Sequence, residues 1–298
     1  MASRRRLTAV SITALVVLLP AALFGVGWIG SERAIHPKAA HYKQSLADFP
    51  ALHPQEFTFE SRTHTKIAGS FFAGTRPETI ILSHGYGDYR DEMLPYADFL
   101  NRNGFNVAIY DMRDRGRSGG DAVTLGALEY VDLISLVDEL SKRPDVDRGR
   151  IGAMGLSLGG STTLMAAAAD PRIRAVVDDS GFSDAPNVIE TSFEHFIGLP
   201  AFPFAPITIF IVKLRTGLNP NQIRPMDVDA RISPRPLLII HCMQDTVVPP
   251  DNSERNFAAA KEPKEFWRIP TGGHVDGHDV AREEYERRVT KFFEDGLR

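Results

Sequence analysis

Three residues far apart in the chain, Ser157, Asp245 and His274, have the types and surroundings that nucleophilic chemistry needs. Ser157 lies in Gly155-Leu156-Ser157-Leu158-Gly159-Gly160, directly after the apolar run Ile151-Gly152-Ala153-Met154. A serine hydroxyl is a weak nucleophile, so it must be held where a base can reach it and where a developing oxyanion can be stabilised. A sharp strand-to-helix turn meets both needs. Flanking glycines let the backbone close, and the helix amino terminus presents free N–H groups and the positive end of its dipole. Gly-x-Ser-x-Gly by itself is a weak pattern that also describes a small residue in a tight packing turn; the position between a strand and a helix gives it weight.

A base and a group to orient it are expected downstream. Asp245 stands four residues past His241, the end of the apolar run Pro236 to His241, and His274 follows the run Phe266 to Ile269 through Thr271-Gly272-Gly273. Both leave the carboxyl ends of expected strands, the edge at which open α/β sheets carry their sites. Singly, Asp245 suits a turn and His274 a solvated loop; together with Ser157 they read as base and orienter. The nearest competing carboxylate, Asp251, lies beyond Pro249-Pro250, where a helix N-cap is expected. His278 is the fallback base. With Asp276 and His274 it also offers metal-ligand spacing, but Gly272, Gly273 and Gly277 oppose a helix there, and no metal or other cofactor is expected. For an oxyanion hole the amide of Leu158 is one candidate donor, and the amide of Tyr86, in Ser83-His84-Gly85-Tyr86-Gly87, is the other. A simple Gly-rich turn is the alternative for that loop.

The elements that must hold these residues alternate. Strands are expected at Phe57–Phe59 and Ile67–Phe72 as a hairpin, then at Glu78–Ser83, Asn106–Asp111, Arg150–Met154, Ile173–Asp178, Pro236–His241 and Phe266–Ile269. Helical spacing covers Glu92–Asn103, Ala127–Ser141, Leu158–Asp170 and Val280–Asp295. Continuous Val/Ile/Leu strands alternating with helices predict an α/β fold around a mostly parallel sheet buried on both faces. Residues 183–232 break the rhythm with Phe193, Phe196, Phe202, Phe204, Phe210 and several prolines, and read as an inserted lid. Those phenylalanines suit packing on the core and lining an apolar channel equally. Glu129 and Asp132 share one helix face, expected to be solvated, with pairing to the preceding arginines as the alternative.

His84-Gly85-Tyr86-Gly87, the loop Asp111 to Ser118, the Gly155–Gly160 elbow, Asp245 and His274 occur in an order that resembles the α/β-hydrolase fold superfamily, in its serine esterase and S9-peptidase-like branch. The resemblance spans positions 57–298. It implies an eight-stranded, mostly parallel sheet, a Ser/His/Asp triad and hydrolysis through an acyl-enzyme. One departure stands in the loop: the family's DxRGxGxS has Asp114 in place of its first glycine here. Asp tolerates positive φ better than most residues, so the loop is expected to keep its shape.

Composition bounds the rest. The 298 residues are 24% charged and 43% hydrophobic, ordinary for a globular chain, which excludes a disordered, collagenous or polytopic membrane protein. The net charge of −4 hides an asymmetry: the first thirty residues hold Arg4, Arg5 and Arg6 and no acid, leaving 31 basic against 38 acidic residues beyond them. A body at −7 disfavours nucleic acid as a partner. Cys242 is the lone cysteine, so no internal disulfide is expected. There is no Gly-Lys pair for a phosphate loop, and the one GxGxxG match, Gly25 to Gly30, ends an apolar stretch instead of joining strand to helix. Leu7 to Gly30 lacks any ionisable side chain, enough at about 1.5 Å per residue for a helix to span a roughly 30 Å hydrocarbon core. It reads as an uncleaved signal-anchor with the body outside, or as a signal cleaved near Gly25-Val26-Gly27; a twin-arginine export signal is a minor alternative.

The organisation expected is thus 1–30 as a membrane segment, 31–55 as a tether with Pro37, Pro50 and Pro54, and 56–298 as one hydrolase domain. The expected activity is ester hydrolysis on a small-molecule or acyl substrate by Ser157, His274 and Asp245, followed in preference by peptide hydrolysis and acyl transfer. A non-catalytic binding protein and a metal-dependent enzyme using His274, Asp276 and His278 are the readings from other classes. Neither the natural substrate nor the oligomeric state is encoded in any motif.

Overall fold

The computed structural model describes residues 2–38 and 44–298, with side chains from residue 16 onward. Eight strands form one sheet: β1 Pro54–Glu60, β2 Lys66–Phe72, β3 Thr79–Ser83, β4 Asn106–Tyr110, β5 Ile151–Leu156, β6 Ile173–Asp179, β7 Leu237–Cys242 and β8 Lys264–Ile269. Their order is β1-β2-β4-β3-β5-β6-β7-β8; β1–β2 and β2–β4 are antiparallel and every later pair is parallel. The helices are α1 Ala2–Ile35, α2 Leu94–Arg102, α3 Glu129–Leu140, α4 Leu158–Ala169, α5 Ala185–Thr191, α6 Phe193–Ile197, α7 Ala201–Thr216, α8 Asp251–Ala259, α9 Gly277–Val280 and α10 Arg282–Gly296.

Successive side chains of a strand point to opposite faces, so a strand apolar at every position demands cover on both. On β5, Ile151 and Ala153 join the core shared with Leu133 and Leu136 of α3 and Leu164 of α4, while Met154 and Leu156 join the core of α2 and α10 around Phe99, Tyr285 and Phe293. β7 divides the same way, Leu237 and Ile239 against Leu238 and Ile240. The eight-stranded sheet with helices on both faces and one apolar amino-terminal helix is the architecture expected from the sequence.

Three expectations change. The face of Glu129 and Asp132 is buried, not solvated. Glu129 accepts from the Thr124 and Gly126 amides at 2.6 and 2.8 Å, and Asp132 pairs with Arg113 at 2.7 Å, so both carboxylates replace water with protein donors. Asp251 is the first residue of α8 and not its N-cap, which is Pro250; the carboxylate pairs with Arg255 one turn on. Helix α1 runs on to Ile35, into the stretch read as a tether, and Ser31 and Ile35 are buried. Residues 39–43 of that stretch lie outside the described residues, as do the side chains of Arg4, Arg5 and Arg6.

Candidate active site

The carboxyl ends of the parallel strands bring the three singled-out residues together. Ser157 caps β5 and opens α4 with φ +53° and ψ −116°, its amide bonded to the Asp179 carbonyl. The turn is tight enough that only glycine fits on either side. A Cβ on Gly155 would sit 2.1 Å from the Gly159 backbone, and one on Gly159 would sit 2.1 Å from the Ser83 carbonyl oxygen. Ser157 Oγ is 2.8 Å from Nε2 of His274, and Nδ1 of His274 is 2.6 Å from Oδ2 of Asp245. His274 follows β8 and Asp245 follows β7, so three strand ends supply one hydrogen-bonded chain.

Asp245 is buried and fully engaged. Oδ1 accepts from the Val247 and Val248 amides at 2.8 and 2.9 Å, while Oδ2 accepts from His274 and, at 3.1 Å, from Nε2 of His241. Burial alone would raise this carboxyl, yet the bonds from His241, His274 and Val248 hold it well below the usual carboxylate range, so it stays ionised. His241, the penultimate residue of β7, had no role in the sequence reading. Its Nε2 is also 2.9 Å from the Val248 carbonyl, which requires a proton on that nitrogen, and its Nδ1 is 2.7 Å from Ser253 Oγ. Burial lowers the His241 imidazole, but the Asp245 carboxylate outweighs it and leaves the pKa raised. The only available signal was a histidine ending a strand four residues before a candidate aspartate.

The loop after β3 carries Tyr86. His84, fully buried, donates from Nδ1 to the Gly85 carbonyl and accepts the Met112 amide at Nε2, while Glu92 accepts the Gly85 amide at 2.6 Å. Burial holds the His84 imidazole below its ordinary pKa. The Tyr86 and Leu158 amides bond to no acceptor among the described residues, and both residues line the cavity that holds Ser157 and His274. Below the sheet edge, burial pushes the Asp178 carboxyl up to about 7, and Asp179 is raised as well despite hydrogen bonds from Tyr285 and Ser180. Asp114, the departure in the Asp111–Ser118 loop, adopts φ +57°, a conformation that glycine would reach freely. Asp111 ties that loop down by accepting the Arg90 and Arg117 amides, both at 2.9 Å.

His278 is brought elsewhere. Its ring stacks on Phe99, contacts Tyr96 and Tyr285, and bonds Glu286, and it does not line the cavity that His274 lines. Among the described residues no three histidine, cysteine or acidic side chains are grouped to hold a metal ion.

The cavity beside Ser157 has a volume of about 140 Å³ and walls of Leu125, Phe182, Val188, Ile189, Val247 and Val248, with helices α5 to α7 above. The phenylalanines between residues 193 and 210 divide among three roles: Phe193 and Phe196 line the cavity, Phe204 packs on the core, and Phe202 and Phe210 are exposed. Gly30, Arg33 and Ala34 of α1 form part of the cavity wall. Such a site can hold a serine alkoxide, a proton acceptor and an oxyanion beside an apolar acyl group.

Comparison with known proteins bears on the family and the fold. The family model of peptidase S9, the prolyl oligopeptidase family, matches residues 92–298. YqkD of Bacillus subtilis is 31% identical over 220 residues, covering 73% of this chain and 72% of that protein, and YfhR of Escherichia coli is 30% identical over 239 residues, covering 76% and 77%. Among solved structures, the Pyrococcus furiosus esterase Pf2001 superposes with a TM-score of 0.74 at 24% identity, over 89% of this chain and 99% of that one. The Pyrococcus horikoshii acylaminoacyl peptidase superposes at 0.63 with 21% identity, over 83% of this chain and 42% of its own length. With an eight-stranded sheet, a strand-to-helix serine turn and a family match over most of its length, this chain belongs to the prolyl oligopeptidase family of α/β-hydrolases.

Proposed function

We propose that this protein is a serine hydrolase that cleaves carboxylic esters through an acyl-enzyme. The observation that carries the reading is the continuous chain Ser157 Oγ, His274, Asp245 at 2.8 and 2.6 Å. His274 Nε2 takes the serine proton as Oγ attacks the carbonyl carbon, and Asp245 holds Nδ1 protonated and stabilises the imidazolium. The Tyr86 and Leu158 amides, with no protein acceptor of their own among the described residues, stabilise the tetrahedral oxyanion. The imidazolium then gives its proton to the leaving alcohol; water, deprotonated by the same imidazole, attacks the acyl-enzyme and frees the acid.

Ester is preferred to peptide because the walls beside the serine are apolar and suit an acyl chain. Residues 56–298 form the catalytic domain in this reading, with a lid at about 183–232. Residues 1–30 anchor it to the membrane with the domain outside, and 31–55 join the two. Retention of α1 is favoured over cleavage near Gly27, because Gly27 packs against Ile207 and Ile211 of α7 and a cut there would remove that contact.

The test is fluorophosphonate labelling of wild type beside Ser157→Ala, with turnover of p-nitrophenyl esters and matching anilides, with and without chelator. Labelling confined to the wild type and ester turnover well above anilide turnover are expected. A folded wild type that neither labels nor hydrolyses either substrate would sink the proposal.

A further inference from the structure

The exposed apolar surface of this protein is concentrated in one place. Of the fourteen large apolar side chains exposed among the described residues, all but Leu46 and Val280 lie on α1 or between Phe196 and Leu214. On α1, residues 16–22 are exposed without interruption, so no face of that stretch is covered by the body of the protein. On the lid side, Phe202 precedes the helical part of α7, and Pro206, Phe210 and Leu214 follow at four-residue spacing, which stacks them on one face. Phe202 is 81% exposed and Phe210 57%, values that water would penalise in a buried-core-sized side chain.

The two helices are joined, and their charges coincide. Gly27 sits against Ile207 and Ile211, and Gly30 against Thr208, the close approach of small residues that suits helix pairs in lipid. At the carboxyl ends Arg215 bonds Ser31 and Glu32 and lies over the Trp28 ring, Arg33 bonds the Phe196 carbonyl, and Lys213 is exposed nearby in sequence. Apolar surface on both helices therefore gives way to cationic side chains at the same end, where anionic head groups would meet them. The cavity at Ser157 has its wall in this same joint, at Gly30, Arg33, Ala34, Phe196 and Thr208.

We infer that α7 lies in the bilayer surface beside α1, and that the cavity opens toward the lipid there to take a long acyl chain carried by a membrane amphiphile. The substrate half of this inference rests on the serine hydrolase reading; the membrane-facing surface stands independently of it. Continuity with the apolar span of α1, Val16–Ile35, is what selects a lipid surface over a protein partner as the cover for α7.

The test uses the full chain reconstituted in vesicles of phosphatidylcholine and phosphatidylglycerol. An environment-sensitive dye is placed at Phe210→Cys in a Cys242→Ser background, since Cys242 is the lone cysteine. Quenching by nitroxide-labelled lipid and protection from aqueous iodide are expected; the reverse pattern overturns the membrane-facing surface. In parallel, the variant Phe202→Gln/Phe210→Gln/Leu214→Gln, changed only at exposed positions, is assayed on two esters. Turnover of water-soluble p-nitrophenyl butyrate should stay within about twofold of wild type, while turnover of a long-chain ester embedded in the vesicles should fall about tenfold or more. An equal loss on both esters, or none on the embedded one, overturns the lateral route. Lipid quenching at position 210 with no hydrolysis of either ester by wild type removes the hydrolase reading and its substrate while the surface stands.

Discussion

Replacing Asp245 by Asn changes one heavy atom and tests the whole hydrogen-bonded chain. Oδ1 of Asp245 faces two backbone donors, the Val247 and Val248 amides at 2.8 and 2.9 Å, so the carbonyl oxygen of asparagine must take that place. Its NH2 is driven to the Oδ2 position, 2.6 Å from Nδ1 of His274 and 3.1 Å from Nε2 of His241, where donor meets donor. His274 relieves the conflict by carrying its proton on Nε2, the atom 2.8 Å from Ser157 Oγ, and so can no longer accept the serine proton. The expected loss in kcat is about 10⁴-fold, or roughly 5 kcal/mol in the barrier. His241 cannot escape in the same way, because its Nε2 proton also serves the Val248 carbonyl, and the remaining conflict should cost about 1–3 kcal/mol of stability.

The stability loss has a pH signature. Asp245 has a depressed carboxyl pKa in the folded chain, so its ionised form contributes stability that is complete above the unfolded value of about 4 and is lost as pH falls toward the folded one. The gap between wild type and the asparagine variant should therefore be widest near neutrality and close on acidification. Steady-state hydrolysis of p-nitrophenyl butyrate reads the first effect and urea unfolding across pH the second. A folded variant with kcat within about tenfold of wild type would refute the assignment of Asp245 and the tautomer argument together.

The strained backbone at Ser157 predicts that Ser157→Gly is more stable than Ser157→Ala by about 1 kcal/mol, since only glycine adopts φ +53° freely; equal melting temperatures would show that the turn stores no strain. Removing the cation in Arg113→Met leaves Asp132 buried with Thr63 as a neutral donor and should cost about 3–5 kcal/mol in urea unfolding, whereas a loss below about 1 kcal/mol would show the pair to be dispensable. Asp178 behaves oppositely to Asp245. Held up to about 7, it keeps a proton that the unfolded chain sheds near pH 4, so stability falls as pH rises across that window; Asp178→Asn should flatten the fall, and an unchanged pH profile would contradict it.

Periodicity and chemistry-bearing spacing determined much of this molecule in advance. Two-sided strands such as β5 and β7 are apolar at nearly every position because both faces are covered, and that pattern is local and visible in the sequence. The serine turn was equally legible, because the glycines that let it close are adjacent to the serine they serve. That Asp245 and His274 would meet Ser157 was legible only through their position after strands, since nothing nearby distinguishes an aspartate that pairs with a histidine from a turn aspartate. What tertiary structure alone decided is which polar groups became buried and what they met there. Glu129 and Asp132 look like a solvated face until Thr124, Gly126 and Arg113 are brought to them. His241 looks like the end of a strand until the loop of residues 243–248 folds back and sets Asp245 against its Nε2. The last turns of α1 look like the start of a tether until α7, some 180 residues later, offers Ile207, Thr208 and Arg215 as partners. In each case the deciding contact is long in sequence or depends on a ring's direction, and neither is carried by residue type and local spacing.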